Sequence, residues 1–325
     1  MKKLSVVTTV VDDFAGCAFT CVNIANQLGQ RVREVDFVVV DNRPGSGESR
    51  DVRKLCEHQL TGGHYISFGP RTGTFAAKQA GLQAADTEFV LVLDSHVLLQ
   101  DGAILRLLDF CRDIGSDNHD LFHGPLCNSA WKIYATHMNP LVSSQNFGRW
   151  GTYRDDTQQR RVIDNCNYYQ VPANGMGLFF CRRDSWPGFH PALRGFGSEE
   201  GYIHAKYRLL GRSCWNIPYL KWWHLFRDES RNIKYSLSNE DKYRNFLISW
   251  SETGLPLDII HQAFGFIPEE KRRSLLAEVE SLAIRRMEPV SDTYDPFLGY
   301  PLRVQVGGED GSSDYTAFEK PIFAT

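Results

Sequence analysis

The first 115 residues alternate between short apolar runs and longer amphipathic stretches. Apolar and β-branched runs predict four strands, at residues 4–10, 35–40, 64–68 and 89–93. Helices are predicted between them: one capped by Asp12 or Asp13, an alanine-rich one at 72–85, and one capped by Asp101. Strands that are apolar throughout are typical of a parallel sheet covered on both faces. The pattern therefore predicts an α/β fold with an open, Rossmann-like, mostly parallel sheet flanked by helices.

The remainder of the chain is less regular. Residues 116–170 are rich in His, Asn, Tyr and Trp, which favours a pocket wall built from loops. Further on, the pattern predicts a strand and then four helices, at residues 178–181, 199–210 (closed by Gly211), 239–250, 256–263 and 268–286. The Gly/Ser/Asp-rich stretch 307–314 is expected to be an exposed tail. We predict one domain over residues 1–235, followed by a helical extension and tail over 236–325.

Composition narrows the functional classes. The 325 residues include 36 basic and 39 acidic side chains, a net charge of −3, so no general positive field attracts nucleic acid or anionic membranes. The apolar runs are far shorter than the roughly 20 residues that span a bilayer. The chain begins without a signal-peptide pattern, and we expect a cytoplasmic protein with no membrane span. Its eight cysteines lack paired C-x-x-C spacing, which favours buried, reduced thiols over a disulfide or zinc framework.

A candidate metal site follows the strand at 89–93. Asp94 ends the apolar run, and His96 comes two residues later. In extended chain these two side chains would point the same way and could share one ion. A carboxylate with an imidazole suits Mn²⁺ or another borderline divalent metal. The alternative is a strand-end Asp that caps the next helix beside an unrelated His. Neither G-x-G-x-x-G nor G-x-x-x-x-G-K-[ST] occurs in the sequence, so a dinucleotide fold and a P-loop are poorly supported.

The Asp94-Ser95-His96 motif is part of a set of four segments that follow one another along the chain. They are Arg71-Thr72-Gly73 with Lys78, Gly81 and Asp94-Ser95-His96; Gly175-Met176-Gly177-Leu178-Phe179; Phe196-Gly197-Ser198-Glu199-Glu200; and Trp223-His224-Leu225-Phe226-Arg227. In their order and spacing these segments resemble motifs of GT-A glycosyltransferases. The first resembles R-x-G followed by D-x-H, and the second resembles the family's small-residue turn before a strand. The third resembles W-G-G-E-N, and the fourth resembles G-H-x-F-R. The likeness is strongest to the polypeptide N-acetylgalactosaminyltransferases and family 2-like enzymes, and it covers about residues 3–230.

The resemblance implies a UDP-sugar-dependent glycosyltransferase of the hexosyltransferase type and a role for each matched residue. Asp94, His96 and His224 would hold Mn²⁺ or another divalent cation at the donor diphosphate. Further roles implied for donor binding and catalysis are Arg71 and Arg227 at the diphosphate, Asp41 and Thr9 at the uracil, and Glu199 and Glu200 beside the sugar and the acceptor hydroxyl. A buried core histidine is the alternative for His224, and a simple acidic helix start is the alternative for the glutamates.

Departures from the family pattern leave the stereochemistry and the substrates open. Phe196 replaces a tryptophan, Ser198 a glycine and Glu200 an asparagine. The D-x-H and His224 motifs favour the retaining relatives, whereas a Glu-Glu pair favours inverting enzymes that use a carboxylate base. We expect retention, because the metal set is the more specific match. The donor sugar and the acceptor are not inherited from the resemblance.

Two other readings and several acceptors remain. A non-catalytic nucleotide-sugar or carbohydrate-binding protein could use the same scaffold, but every metal and phosphate position is retained. A nucleotidyltransferase would need a Gly-rich N-terminal loop with a basic residue, which residues 4–16 lack. A protein, a glycan, a small molecule and a hydroxymethylated base in phage-type DNA are all open as acceptors, and the net charge does not favour DNA.

Overall fold

A computed structural model of the protein describes residues 2–69, 73–143, 147–152, 160–163, 166–225 and 238–305. The strands of this part are β1 (Leu4–Val10), β2 (Val35–Asp41), β3 (Gly63–Ser67), β4 (Phe89–Asp94), β5 (Val97–Leu99), β6 (Leu121–His123), β7 (Leu126–Cys127), β8 (Ile133–Ala135), β9 (His137–Val142), β10 (Phe147–Gly151), β11 (Arg160–Ile163), β12 (Cys166–Gln170), β13 (Leu178–Arg182), β14 (Cys214–Asn216), β15 (Trp222–His224) and β16 (Arg303–Val304). Its α-helices are α1 (Phe14–Leu28), α2 (Ser49–Lys54), α3 (Thr74–Ala84), α4 (Ala103–Asp113), α5 (Glu199–Leu209), α6 (Asn239–Thr253), α7 (Leu257–Ala263) and α8 (Glu269–Glu280).

The main sheet of the described residues has nine strands in the order β11-β12-β14-β6-β13-β4-β1-β2-β3. The four strands from β3 to β4 run parallel, as the sequence predicts. In this register Thr9 lies opposite both Val40 and Asp94, and Asp41 lies one residue further on, opposite Val10. The polar ends of β1, β2 and β4 therefore reach one edge of the sheet. β13 runs antiparallel to β4 and completes that edge, because Asp94 N–H donates to Gly177 O at 3.0 Å.

The two faces of the sheet bury separate hydrophobic clusters, because side chains of a strand alternate between faces. Val7 of β1 packs with Val38 of β2 and residues of α3, α5 and α6 in one cluster. Val6 and Phe37 pack with residues of α1 and α4 in the other. This burial on both faces explains why β1, β2 and β4 are mostly apolar, with Ser5 and Thr8 buried among the apolar side chains of β1.

Two smaller sheets flank the main one. Their strand orders are β10-β9-β16 and β5-β15-β7-β8. The prediction of a loop-built wall for residues 116–170 is therefore wrong in part, because much of this segment forms short strands. Strands of two to six residues leave little room for a hydrophobic period, which is why the sequence pattern did not reveal them.

The predicted helices are largely confirmed, with two corrections at their ends. Asp13 caps α1, accepting from Gly16 N–H at 3.2 Å. Asp101 does not cap α4; Gly102 occupies that position with a φ of 78°. The last helix, expected to reach residue 286, ends at Glu280. The tail predicted at 307–314 lies outside the described residues.

Two expectations from composition also have structural counterparts. The cysteines whose side chains are described are buried free thiols, as predicted: Cys17, Cys21, Cys56, Cys111, Cys127, Cys181 and Cys214. Within the described ranges, no helix has the length and apolar character needed to cross a membrane.

Candidate active site

A cavity of about 410 Å³ opens where β1, β2 and β4 end. Its walls combine residues whose roles the sequence motifs imply with residues that the sequence did not assign to the site. The first group comprises Thr9, Asp94, His96, Gly175, Met176, Gly177, Phe196, Glu199, Glu200 and His224. The second group includes Asn42, Lys78, Met138, Trp150 and Trp222. The cavity thus lies at the carboxyl ends of parallel strands, where open α/β sheets bind ligands.

Asp94 lies between two basic groups. Its Oδ1 is 3.0 Å from the Lys78 ammonium, and its Oδ2 is 3.6 Å from His224 Nε2. Burial alone would raise the pKa of Asp94, but Lys78 and then His224 outweigh that effect and hold it far below its usual range. Lys78 is 4% exposed and also donates to Met176 O at 2.8 Å. Asp94 is therefore a carboxylate at neutral pH, with Lys78 as its counter-charge.

His96 lines the same cavity, but its backbone conformation differs from the predicted one. Ser95 and His96 form a turn between β4 and β5, so the expected extended geometry is wrong. The turn nevertheless brings the His96 ring to within 4.6 Å of the His224 ring, centroid to centroid. His96 Nδ1 lies 2.8 Å from Asp13 Oδ2, which leaves Nε2 as the ring nitrogen for a ligand. Burial lowers the pKa of His224, despite the opposing effect of Asp94, so its imidazole is neutral at pH 7.

The chemistry of this group fits a divalent cation. Two ligand atoms each about 2.1 Å from one metal ion lie roughly 3–4 Å apart, and Asp94 Oδ2 and His224 Nε2 meet that condition at 3.6 Å. One carboxylate with two imidazoles is a donor set for Mn²⁺ and its neighbours in the series. Among the residues that the structure describes, no three His, Cys, Asp or Glu side chains form a metal cage as they stand.

Two glutamates at the start of α5 also line the cavity. Glu199 and Glu200 begin α5 and are only 4% and 9% exposed. Burial raises the pKa of both carboxyl groups, and the charge of Glu199 raises that of Glu200 further. Glu199 Oε2 accepts from Gly197 N–H at 3.0 Å. Such buried carboxyl groups with raised pKa values in a cavity are characteristic of acid–base sites.

Glycines in the matched motifs are required by close contacts. Gly73 has a φ of 97°, and a Cβ there would lie 2.0 Å from Gly195 O. A Cβ at Gly175 would lie 2.6 Å from the Trp150 ring, and one at Gly177 would lie 3.1 Å from Asp94 Oδ2. The small residues therefore make room for the cavity wall and for the Asp94 carboxylate.

The base-pocket expectation needs a correction. Asp41 is 2% exposed, and its oxygens accept from Arg43 N–H at 2.9 Å and from the Tyr65 hydroxyl at 2.7 Å. Among described residues, those lining the cavity include Thr9 and Asn42 but not Asp41. Asn42 Oδ1 is buried without a hydrogen-bond partner in the described part of the chain, while its Nδ2 donates to Gly73 O at 3.2 Å. At the end of β2, Asn42 rather than Asp41 therefore contributes to the described cavity wall.

The structure also supplies side chains that the sequence did not assign to the site. Lys78 stands in the matched helix, but nothing local indicated its pairing with Asp94. Trp150 and Met138 come from β10 and β9, within the segment expected to be loops. The Lys242 side chain, from α6, passes beside Gly197. Burial lowers the pKa of Lys242, and the charges of Glu199 and Glu200 oppose that effect. The expected phosphate contacts Arg71 and Arg227 lie outside the described residues.

The chain is similar to known glycosyltransferases in part of its sequence and in its fold. Residues 18–172, just under half of the chain, match the family model Glycosyl transferase family 2. No curated protein matches the chain. Among solved structures, GalNAc-T7 with UDP, GalNAc and Mn²⁺ superimposes with a TM-score of 0.63 at 14% identity, over 87% of this chain and 55% of that one. This chain thus spans little more than half the length of that structure.

Two microbial structures are also similar. The mannosyltransferase PcManGT from Pyrobaculum calidifontis, in complex with GDP-Man and Mn²⁺, has a TM-score of 0.52 at 12% identity, over 86% of this chain and 74% of that one. Residues 1–349 of S. aureus TarS, in complex with UDP-GlcNAc, also give 0.52, at 15% identity, over 86% and 71%. At these identities the likeness shows the fold. The match of residues 18–172 to this family model and the shared architecture show that the protein has the GT-A fold of glycosyltransferases.

Proposed function

We propose that the enzyme is metal-dependent and transfers a hexosyl group from a UDP-sugar to an acceptor hydroxyl. One observation carries the proposal: a single cavity holds Asp94, His96 and His224 together with the buried pair Glu199 and Glu200. The first set suits the diphosphate of a donor, and the second suits the hydroxyl of an acceptor. Catalysis is assigned to residues 1–235, with 236–325 as a helical extension.

Asp94, His96 and His224 would hold the divalent cation, with Mn²⁺ as the expected metal. When bound, such a cation neutralises the charge that develops on the leaving nucleoside diphosphate. Lys78 keeps Asp94 ionised through the 3.0 Å contact with Oδ1, which directs Oδ2 to the ligand side. Arg71 and Arg227 remain proposals for diphosphate binding, since a guanidinium matches phosphate oxygens in a fork.

The uridine is assigned to the end of β1 and β2. Thr9 and Asn42 line that part of the cavity, and Asn42 replaces Asp41 as the proposed base contact. The amide Oδ1 can accept from the uracil N3–H, a bond that a buried oxygen without a partner favours. GalNAc-T7 and TarS were solved with uridine compounds, whereas PcManGT was solved with GDP-Man, so the fold is compatible with either base.

Glu200 is proposed as the acceptor-side residue, with Glu199 positioned by the Gly197 amide. For inversion, Glu200 would remove the proton of the acceptor hydroxyl, and its raised pKa suits that role near neutral pH. For retention, which the D-x-H and His224 motifs favour, the glutamates would orient the donor sugar and the acceptor. The acceptor class stays open among protein, glycan, small molecule and modified DNA base.

The proposal is tested by release of nucleoside diphosphate. Purified protein is incubated with UDP-Glc, UDP-GlcNAc, UDP-GalNAc or GDP-Man, with Mn²⁺ or with chelator, and UDP or GDP is quantified. We expect Mn²⁺-dependent release of UDP from at least one UDP-sugar, and a loss of several orders of magnitude in kcat for Asp94→Ala. His96→Ala should cost less, because water can occupy a vacated ligand position.

Two results would contradict the proposal. Full turnover in chelator without added metal would reject the metal dependence. Tight binding of UDP-sugar with no release, in the presence of every acceptor class, would favour the non-catalytic binder. Once an acceptor is found, the anomeric configuration of the product, read by NMR, decides between retention and inversion.

A further inference from the structure

One face of α1 carries polar or small residues at helical spacing. Asp13 caps the helix, and the others follow at intervals of three or four residues: Gly16, Thr20, Asn23 and Gln27. Residues so spaced lie on one face of a helix. This face packs along β5, the short strand that follows the Ser95-His96 turn.

The face hydrogen-bonds the backbone of β5. Val97 N–H donates to Thr20 Oγ1 at 2.9 Å, and Leu99 N–H donates to Asn23 Oδ1 at 3.1 Å. Gln27 Nε2 donates to Leu99 O at 2.9 Å. β5 pairs with β15 through its backbone, so the side chains of α1 provide a second set of partners for the same short strand. The helix therefore fixes where β5 and the preceding turn lie.

Asp13 extends this contact to His96. Its Oδ1 accepts from Gly16 N–H, while its Oδ2 accepts from Ser95 Oγ at 2.9 Å and lies 2.8 Å from His96 Nδ1. Gly16 allows the close approach, because a Cβ there would lie 2.4 Å from Asp13 Oδ2 and 2.5 Å from Ser95 O. An ionised carboxylate only accepts hydrogen bonds, so His96 Nδ1 must carry the proton. The lone pair is then on Nε2.

We propose that Asp13 is a positioning residue that fixes the tautomer and orientation of His96, so that Nε2 is the ligand atom. The role rests on the proposed function, in which His96 binds the cation. When a carboxylate accepts a hydrogen bond from the ring nitrogen that does not bind the metal, the other ring nitrogen becomes a more basic ligand. Loss of that carboxylate typically weakens metal affinity about 10–100-fold. The same carboxyl group caps α1, so the capping role must be separated from the positioning role.

Asp13→Ser separates the two. Serine is as good a helix cap as aspartate and can still accept from Gly16 N–H, but it cannot present a carboxylate to His96. Long-range ¹H–¹⁵N NMR on protein labelled with [¹⁵N]histidine, with His96 assigned from its absence in His96→Gln, reads the tautomer without metal. We expect the Nδ1–H form in the wild-type protein and a shift to the Nε2–H form in Asp13→Ser.

Mn²⁺ affinity is then measured on metal-free protein by the loss of the free-ion EPR signal. Asp13→Ser should bind Mn²⁺ roughly 10–100-fold more weakly than the wild-type protein, with little change in Tm. Thr20→Val is the matched control, because it removes the acceptor of Val97 N–H from the same helix face. It should lower Tm by a few degrees and change Mn²⁺ affinity by less than about threefold.

The outcomes are distinguishable. An unchanged His96 tautomer and unchanged Mn²⁺ affinity in Asp13→Ser would overturn the positioning role, and a lower Tm alone would leave Asp13 as a cap only. Equal loss of affinity in Thr20→Val would mean that any loosening of β5 has the same effect, which also overturns it. Failure of the wild-type protein to bind Mn²⁺ would instead overturn the metal assignment of the proposed function, while the tautomer still decides whether Asp13 orients His96.

Discussion

Lys78→Met removes the counter-charge of the Asp94 carboxylate, the proposed metal ligand. The Lys78 ammonium is 3.0 Å from Asp94 Oδ1, a separation worth roughly 5 kcal/mol at an effective dielectric constant of about 20. The side chain of Asp94 is 30% exposed, so solvent reduces this figure, and Met176 O also loses its donor. We expect a loss of about 2–3 kcal/mol in the free energy of unfolding, or roughly 3–5 °C in Tm for a chain of this length.

A divalent cation should restore much of this stability. In the wild-type protein the ammonium repels a second cation at Asp94, whereas in Lys78→Met the carboxylate has lost its main counter-charge. Mn²⁺ at 100 times its dissociation constant stabilises a folded protein by about 2.7 kcal/mol. We therefore expect Mn²⁺ to raise the Tm of Lys78→Met by more than that of the wild-type protein, as measured by differential scanning fluorimetry with and without the metal.

Lys206→Met is the matched control for this experiment. Lys206 is also 4% exposed, and its ammonium lies 3.2 Å from Glu252 Oε1, between α5 and α6. It should destabilise the protein by a similar amount without gaining a larger response to Mn²⁺. If Mn²⁺ shifts the Tm of the wild-type protein and of both variants by the same amount, Lys78 does not compete with a cation at Asp94, and the reasoning fails.

Three further predictions concern Glu200, the proposed base contact Asn42, and Ser198 at the start of α5. Burial raises the pKa of Glu200, so the folded state binds the proton more tightly than the unfolded state and loses stability as pH rises through that pKa. Glu200→Gln should therefore have a higher Tm than the wild-type protein at pH 8 but not at pH 4. Equal shifts in Tm at both pH values would contradict this. Under inversion the same variant should also lose about 10²–10⁴-fold in kcat. Asn42→Ala should raise KM for the donor with kcat nearly unchanged in steady-state kinetics, because a base contact acts equally in ground and transition states; a selective fall in kcat would refute the assignment. Ser198 is buried at a φ of 86°, and its hydroxyl has no partner among the described residues; Ser198→Gly should raise the free energy of unfolding by about 0.5–1 kcal/mol in urea titrations, and a decrease would show that the hydroxyl has a structural role.

Much of the parallel half of the fold could be predicted from the sequence alone. The bounds of β1 agree with its apolar run, and β2, β3 and β4 differ from theirs by one residue or so. A strand buried on both faces is apolar or β-branched at nearly every position, so its limits are visible locally. The cytoplasmic location, in contrast, stays a prediction.

The candidate site was predictable only where its residues belong to ordered motifs. Asp94, His96 and His224 were found because the motifs occur in sequence order, and the structure brings all three to one cavity. The resemblance implied Asp41 at the uracil, whereas Asn42 lines the cavity, because the sequence at a strand end does not show which of two adjacent side chains faces the cavity. That choice depends on the register of β2 against its neighbours.

The tertiary structure alone decided the partners of these residues. Lys78 meets Asp94 across 16 positions, His96 meets Asp13 across 83, and Lys242 approaches Gly197 from a helix of the C-terminal part. Each contact requires a helix to pack at one particular position on the sheet. The spacing of apolar residues predicts which face of a helix packs on the sheet. How far the helix lies along the sheet depends on how its side chains fit against their neighbours. The sequence by itself therefore determined the parallel strands and the motif residues, and packing determined the charges and orientations that surround them.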